Sequence, residues 1–221
     1  MRKIIQLITA LTIILSGCTD NNGLSYVDPL IGTEGDGSEY GGLMPYVGVP
    51  FGSAQWTPMT RLNDVSRLSY NSSDSLLLGF IGSRQPAIWM GDWGQVSLMP
   101  QNGPADMDYL TRGQKIEKEE YTPYSGFVSA GGIETRFAAL EHSAIFDFSD
   151  VSNLVIDASR ASDGQYSDKS PHPGHLEFSD DGLCISGWNS DLFDGSHTAP
   201  KPGFRGYFHR ELSRPFSSSL C

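Results

Sequence analysis

Basic residues are scarce in this chain: 15 Lys and Arg stand against 26 Asp and Glu, a formal net charge of −11 over 221 residues. Phosphate binding depends on clustered cations that displace counterions, and no basic stripe occurs, which argues against nucleic acid as a partner. Cysteine is scarcer still, with three in all. Cys184 lies in a strand-like run and Cys221 is the last residue, and neither has the spacing of a disulfide scaffold or a zinc site. A sustained helical period, an internal repeat and a low-complexity tract are also missing. Beyond Leu15 no apolar run is long enough to span a bilayer.

What the chain has in quantity is glycine, 25 residues, and proline, 13, set among short apolar runs. That balance suits a turn-rich β protein. Ile133, Thr135, Phe137 and Ala139 alternate with Glu134, Arg136 and Ala138, a period of two that turns one side of a strand to a core. Ala144, Phe146 and Phe148 repeat the pattern. Further short runs cover residues 76–81, 95–99, 154–156, 176–178, 183–185 and 205–212, separated by Gly, Asp, Ser or Pro. The charged stretch 114–120 reads as one turn of helix or an edge loop. The expected class is all-β, a two-sheet β-sandwich with its longer loops at one end.

The first residues have a different character. Met1-Arg-Lys3 followed by the apolar run Ile4 to Leu15 has the charged start and hydrophobic stretch of a secretory signal. Leu15-Ser-Gly-Cys18 resembles the bacterial lipobox, in which the cysteine is lipidated after cleavage; an ordinary buried thiol is the alternative. The resulting division is a lipoprotein signal peptide over 1–17, a polar tether over 18–25, and a sandwich domain over 26–221. Export and anchorage through Cys18, facing the periplasm or the cell surface, are the expectation.

Carbohydrate recognition sets flat aromatic faces against the apolar side of a pyranose and fixes the hydroxyls with charged or amide groups. Trp89, Asp92 and Trp93, on a glycine-rich segment, have that arrangement. Packing of Trp93 in the core, with Asp92 supporting a turn, is the plainer reading. Residues 32–37 are glycine-rich, but a phosphate cradle would need a buried strand before, a helix after and usually a Lys. His172 and His175 flank a Pro-Gly step with no third ligand nearby, and Asp191 and Asp194 fall short of a calcium loop, so no metal site is expected here. Nor does any pair of carboxylates stand out as the acid and base of a glycosidase. No catalytic residue is assigned.

Four motifs follow in order: Tyr26-Val-Asp-Pro-Leu-Ile-Gly-Thr33, Gly48-Val-Pro-Phe-Gly52, Pro58-Met-Thr-Arg61, and Trp89-Met-Gly-Asp-Trp-Gly94 leading into Leu98-Met-Pro100. Downstream come Lys118 to Gly126, Ile185-Ser-Gly-Trp188, Phe204-Arg-Gly-Tyr-Phe208 and Arg214-Pro-Phe-Ser217. This series resembles the start of glycoside hydrolase family 92, the calcium-dependent exo-α-mannosidases. The resemblance implies that the loop bearing Trp89 reaches a catalytic domain and helps form the subsite beyond the scissile bond. It makes Thr33, Glu34 and Arg61 candidates for hydrogen bonds at the domain junction, although each could equally be solvated or salt-bridged. The segment from Arg84 to Met90 departs from the commoner family pattern, so linkage preference does not carry over.

The same resemblance implies that the acid, the base and the calcium belong to a C-terminal (α/α)6 catalytic domain acting on mannose-containing N-glycans. On that expectation the chain ends before the sandwich is finished and is inactive alone. The alternatives are a non-catalytic carbohydrate-binding module and an interaction domain that docks a separate barrel.

Overall fold

Strand β7, Ile133–Ala139, buries Ile133, Thr135, Phe137 and Ala139 and exposes Glu134 and Arg136, as its alternation requires. The structure is a computed structural model that describes residues 22–35, 42–62, 68–83, 94–160, 174–190 and 205–218. A short 3-10 turn, Asn22–Tyr26, precedes the strands β1 Gln55–Met59, β2 Leu76–Leu77, β3 Gly79–Ser83 and β4 Gly94–Gln101. β5 Gln114–Tyr121, β6 Ser125–Ala130, β7 and β8 Ala144–Phe148 form a meander. β9 Asn153–Asp157, β10 Gly174–Phe178, β11 Cys184–Asn189 and β12 Gly206–Glu211 complete the order. No helix among the described residues is long and apolar enough to cross a membrane.

All pairings are antiparallel. One sheet runs β1-β3-β4-β9, a second β2-β5-β6-β7-β8, and a third β10-β11-β12. The first two supply the main core: Trp56, Phe80, Val96, Leu98 and Met99 from one, and Leu77, Val128, Ala130, Phe137 and Ala139 from the other. The chain is an all-β sandwich. Its centre is aromatic, with Trp56 edge-on to Phe146 at 4.8 Å, Phe80 edge-on to Phe137 at 5.3 Å, and Phe137 stacked on Phe146 at 5.4 Å. Such ring pairs add about 0.5–1.5 kcal/mol each beyond the area they bury.

The third sheet extends the expected pair of sheets. It lays Phe208 against the same core, and Arg210 sits 4.6 Å over the Trp56 ring. Burial pulls the Arg210 guanidinium down to about 10.

Two strand glycines make close aromatic packing feasible. Gly126 pairs with Phe137 and Gly187 with Phe208, and in each case the partner's ring lies over the glycine, where a Cβ would come within 2.3 Å and 2.5 Å of ring carbons.

Two sequence expectations are corrected. The charged stretch 114–120 is neither helix nor loop but most of β5, whose Lys115, Glu117, Lys118 and Glu120 face solvent while Glu119 is half-buried. A bulge between Ile116 and Lys118 shifts its alternation and hides the period of two. The apolar run 76–81 is not one strand. It divides at Leu78, with β2 in the five-stranded sheet and β3 in the four-stranded one, so the chain crosses between layers at this point.

Candidate functional site

The Gly-Thr turn and the Thr-Arg stop are far apart in sequence, and the loop of residues 69–74 draws them together. The Thr60 and Arg61 backbone N–H groups donate to the Ser69 carbonyl at 2.7 and 3.1 Å. Arg61 then closes on Asp74, its Nε donating to Oδ2 at 2.7 Å and a terminal nitrogen to Oδ1 at 2.5 Å. Thr60 Oγ1 donates to the same carboxylate at 2.7 Å and accepts from the Asn71 N–H at 2.9 Å. The hydrogen bonds to Asp74 hold the Arg61 guanidinium above its ordinary pKa.

Thr33 joins this network from the other side. It is buried, its hydroxyl donates to the Leu30 carbonyl at 2.7 Å, and its own carbonyl accepts from Ser72 N–H at 3.2 Å. Asn71 donates its side-chain amide to the Gly35 carbonyl. Glu34 next to Thr33 is exposed. Thr33 and Arg61 thus fall in one cluster with Thr60 of the same motif and with Asn71 and Asp74, two residues that lie outside the sequence motifs. The polar run Asn71-Ser-Ser-Asp74 between apolar segments was the available signal, since Asn and Asp favour turns by bonding nearby backbone; Asn71 Oδ1 here accepts from Ser73 N–H at 2.9 Å.

Trp89, Asp92 and Trp93 lie outside the described residues, as do Cys18, His172, Asp191 and Asp194. Their strand roots are described. Ser83 ends β3 and pairs with Gly94 at the start of β4, and Ser83 also pairs with Gln55. The connection 84–93 therefore leaves and rejoins the sheet beside the first residue of β1. Arg61 stands two residues beyond Met59, the last residue of β1, and at roughly 3.3 Å per residue the two ends of that strand are about 13 Å apart. The two groups of candidate residues thus start from opposite ends of β1.

The Gln55 end carries a second motif, Gly48-Val-Pro-Phe-Gly52. Gly48 N–H donates to the Pro123 carbonyl at 2.9 Å, and Ser53 and Ala54 N–H both donate to the Glu141 carbonyl at 2.7 and 3.2 Å. Those bonds tie the segment to the β5–β6 and β7–β8 turns. Ser53 Oγ is 2.8 Å from His142 Nδ1. Gly52 permits the approach, because a Cβ there would lie 2.8 Å from Val49 Cγ2 and 3.3 Å from Glu141 Cα. An open hollow of about 670 Å³ is lined by Val49, Pro50, Leu140, Glu141, His142 and Ser143.

A further hollow of about 480 Å³ lies on the solvent side of the five-stranded sheet, around Phe127. Arg136 lies 4.9 Å from the centre of that ring and is paired with Glu134 at 3.1 Å. Lys118 is paired with Glu120 at 2.7 Å. The cations of this surface are balanced by neighbouring carboxylates.

Two buried polar knots brace the layers. Tyr70 and Tyr121 donate to the two oxygens of Glu119 at 2.9 and 2.8 Å, and burial, then the Glu119 charge, pushes both phenols above their ordinary range. Tyr109 donates to Asp157 at 2.6 Å, and burial raises its phenol as well. Arg112 lies 3.4 Å over the Tyr109 ring and donates Nε to the Leu78 carbonyl at 2.8 Å. Its two terminal nitrogens are buried without a hydrogen-bond partner among the described residues, and nothing in the packing accounts for this. No group of three His, Cys, Asp or Glu side chains converges among the described residues.

The profile of the glycosyl hydrolase family 92 N-terminal domain matches residues 26–221. Among solved structures, the chain is similar to a family GH92 inverting mannosidase from Bacteroides thetaiotaomicron VPI-5482, at 28% identity and a TM-score of 0.71. That match covers 87% of this chain and 25% of the other. A second family GH92 alpha-mannosidase from Bacteroides thetaiotaomicron, also solved with mannoimidazole, shares the fold at 20% identity and a TM-score of 0.63, over 75% of this chain and 23% of that one. No curated protein matches the chain. It spans about a quarter of the length of the mannosidases it matches.

Proposed function

Because this chain belongs to the glycosyl hydrolase family 92 N-terminal domain family, we propose that it is the N-terminal part of an α-mannosidase-like glycoside hydrolase acting on mannose-containing N-glycans. The observation that carries the reading is the family match over residues 26–221, together with the likeness to an inverting mannosidase of which the chain spans a quarter. In this reading the domain supplies substrate-facing loops. The catalytic acid and base are carried by a C-terminal (α/α)6 barrel, which also holds calcium.

An inverting glycosidase needs one protonated carboxyl for the leaving oxygen and a second carboxylate that activates water on the opposite face of the sugar. Neither role is given to a residue of this chain. In this reading Trp89, Asp92 and Trp93 of the connection 84–93 contact the sugar beyond the scissile bond and orient it. Thr33, Glu34 and Arg61 serve the junction with the barrel. Thr33 and Arg61 do so as positioning residues, since their side chains are committed to Leu30 and Asp74. Export with anchorage through a lipid on Cys18 completes the proposal, which sets the enzyme at the periplasmic or outer surface of a membrane.

The test is mannose release from an α-mannoside by the purified full chain. No release above the uncatalysed rate is expected, with or without calcium. Enzymatic release by this chain alone would move the catalytic groups into it and overturn the assignment.

A further inference from the structure

The motif Val49-Pro-Phe-Gly52 ends in a tight turn, with Gly52 N–H donating to the Val49 carbonyl at 2.9 Å. Proline second and a positive φ third is the type II pattern, and the third position of such a turn favours glycine or asparagine. Here it is Phe51, at φ 63°. A bulky L side chain in this region clashes with its own backbone, so the conformation is costly. The cost is not offset by packing, because Phe51 is completely exposed at 107%. A sequence optimised for folding alone would place asparagine or glycine there and keep the ring out of water.

What holds the turn in place is its anchorage. Gly48, Ser53 and Ala54 are bonded to Pro123 and Glu141 on two neighbouring turns. The ring is therefore presented from a fixed base. Val49 and Pro50 form one wall of the adjoining hollow, and Leu140, 61% exposed, forms part of another. The polar groups around it are free to act. The Glu141 side chain makes no hydrogen bond among the described residues, and His142 uses only Nδ1, toward Ser53.

We infer that Phe51 is a stacking platform for a pyranose ring, with the Glu141 carboxylate and His142 Nε2 taking its hydroxyls in the hollow beside it. An exposed aromatic face meets the apolar C–H side of a sugar, and a carboxylate and an imidazole next to it match the hydroxyl edge. The site lies at the Gln55 end of β1, where the 84–93 connection is rooted between Ser83 and Gly94. It adds a second contact surface at that end of the sandwich, beyond the tryptophan segment. The choice of mannose as the sugar rests on the mannosidase reading; the platform itself rests on the turn and its neighbours.

The experiment titrates the full chain with α-1,2-mannobiose and, separately, with cellobiose, followed by saturation-transfer NMR, for the natural sequence, Phe51→Asn and Glu141→Gln. Melting temperature is recorded for each. Asparagine tolerates the left-handed conformation, so Phe51→Asn is expected to melt at the same or a higher temperature while binding mannobiose about tenfold more weakly or not at all. Glu141→Gln, which leaves the backbone bonds of that turn intact, is expected to weaken binding at an unchanged melting temperature. Phe51-dependent binding of cellobiose but not mannobiose would uphold the platform and count against the mannoside reading. Binding of neither sugar, binding unaffected by Phe51→Asn, or a lower melting temperature in that variant overturns the inference, and leaves the mannosidase reading to its own test.

Discussion

Arg61 donates two hydrogen bonds to Asp74 across a partly exposed surface, with side chains 33% and 22% accessible. Solvent reduces the value of such a pair, but its two-pronged geometry and the added Thr60 hydroxyl raise it above an ordinary surface contact. Arg61→Ala is expected to cost about 1 kcal/mol of stability. Asp74→Ala should cost more, about 2 kcal/mol, because it leaves both the Arg61 fork and the Thr60 hydroxyl without their acceptor. Urea unfolding midpoints measure both, and equal losses would show that Thr60 contributes nothing. A second residue-level expectation concerns pH. Tyr70, Tyr109 and Tyr121 all have phenols raised by burial. The unfolded chain releases those protons near pH 10 while the folded chain retains them, so the stability they carry is complete below about pH 10 and lost as pH rises past it. Arg210, lowered to about 10 by burial, acts in the opposite sense over the same range, as one group against three. Melting temperature should therefore fall between about pH 9 and about pH 11, and Tyr70→Phe with Tyr121→Phe should flatten the fall.

At the scale of the element, the three-stranded sheet depends on Gly187. A Cβ there would lie 2.3 Å from the His175 carbonyl oxygen and 2.5 Å from the Phe208 ring, so both neighbouring strands oppose it. Gly187→Ala should cost about 1–3 kcal/mol, with amide exchange speeding up first in β10 and β12. Uniform loss of protection across all three sheets would contradict this local role. The strands that the sequence disclosed were those with one wet face: β7 and β8 alternate cleanly because Glu134, Arg136 and Asp147 point to solvent. β1 stayed hidden inside a motif, since Trp56 to Met59 are all buried and a strand covered on both faces has no period to read. β5 was obscured by charge density and its bulge. For the candidate site, motif order picked out Thr33 and Arg61 but not their junction, because the partner of Arg61 lies 13 residues on, in a polar run that marks a turn without saying what the turn packs against. The division of candidate residues between the two ends of β1 was likewise invisible, being a consequence of register alone.

For the molecule as a whole, the sandwich spans a quarter of a mannosidase of the same family, so its proposed role is cooperative: substrate-facing loops on this domain, acid and base on another. Two faces of the domain then do different work. In the proposed role the Gln55 end, which carries the 84–93 roots and Phe51, is the sugar-facing one, and the Thr33–Arg61–Asp74 cluster braces the opposite end of β1. The most direct measurement replaces the N-terminal domain of the Bacteroides thetaiotaomicron inverting mannosidase with residues 26–221 and follows mannose release from mannobiose, beside the same enzyme lacking any N-terminal domain. The expected result is activity in the chimera well above that of the shortened enzyme, with a further loss on Trp89→Ala. A chimera shown to be folded by circular dichroism, yet no more active than the shortened enzyme, would contradict the claim that this domain completes a mannosidase site.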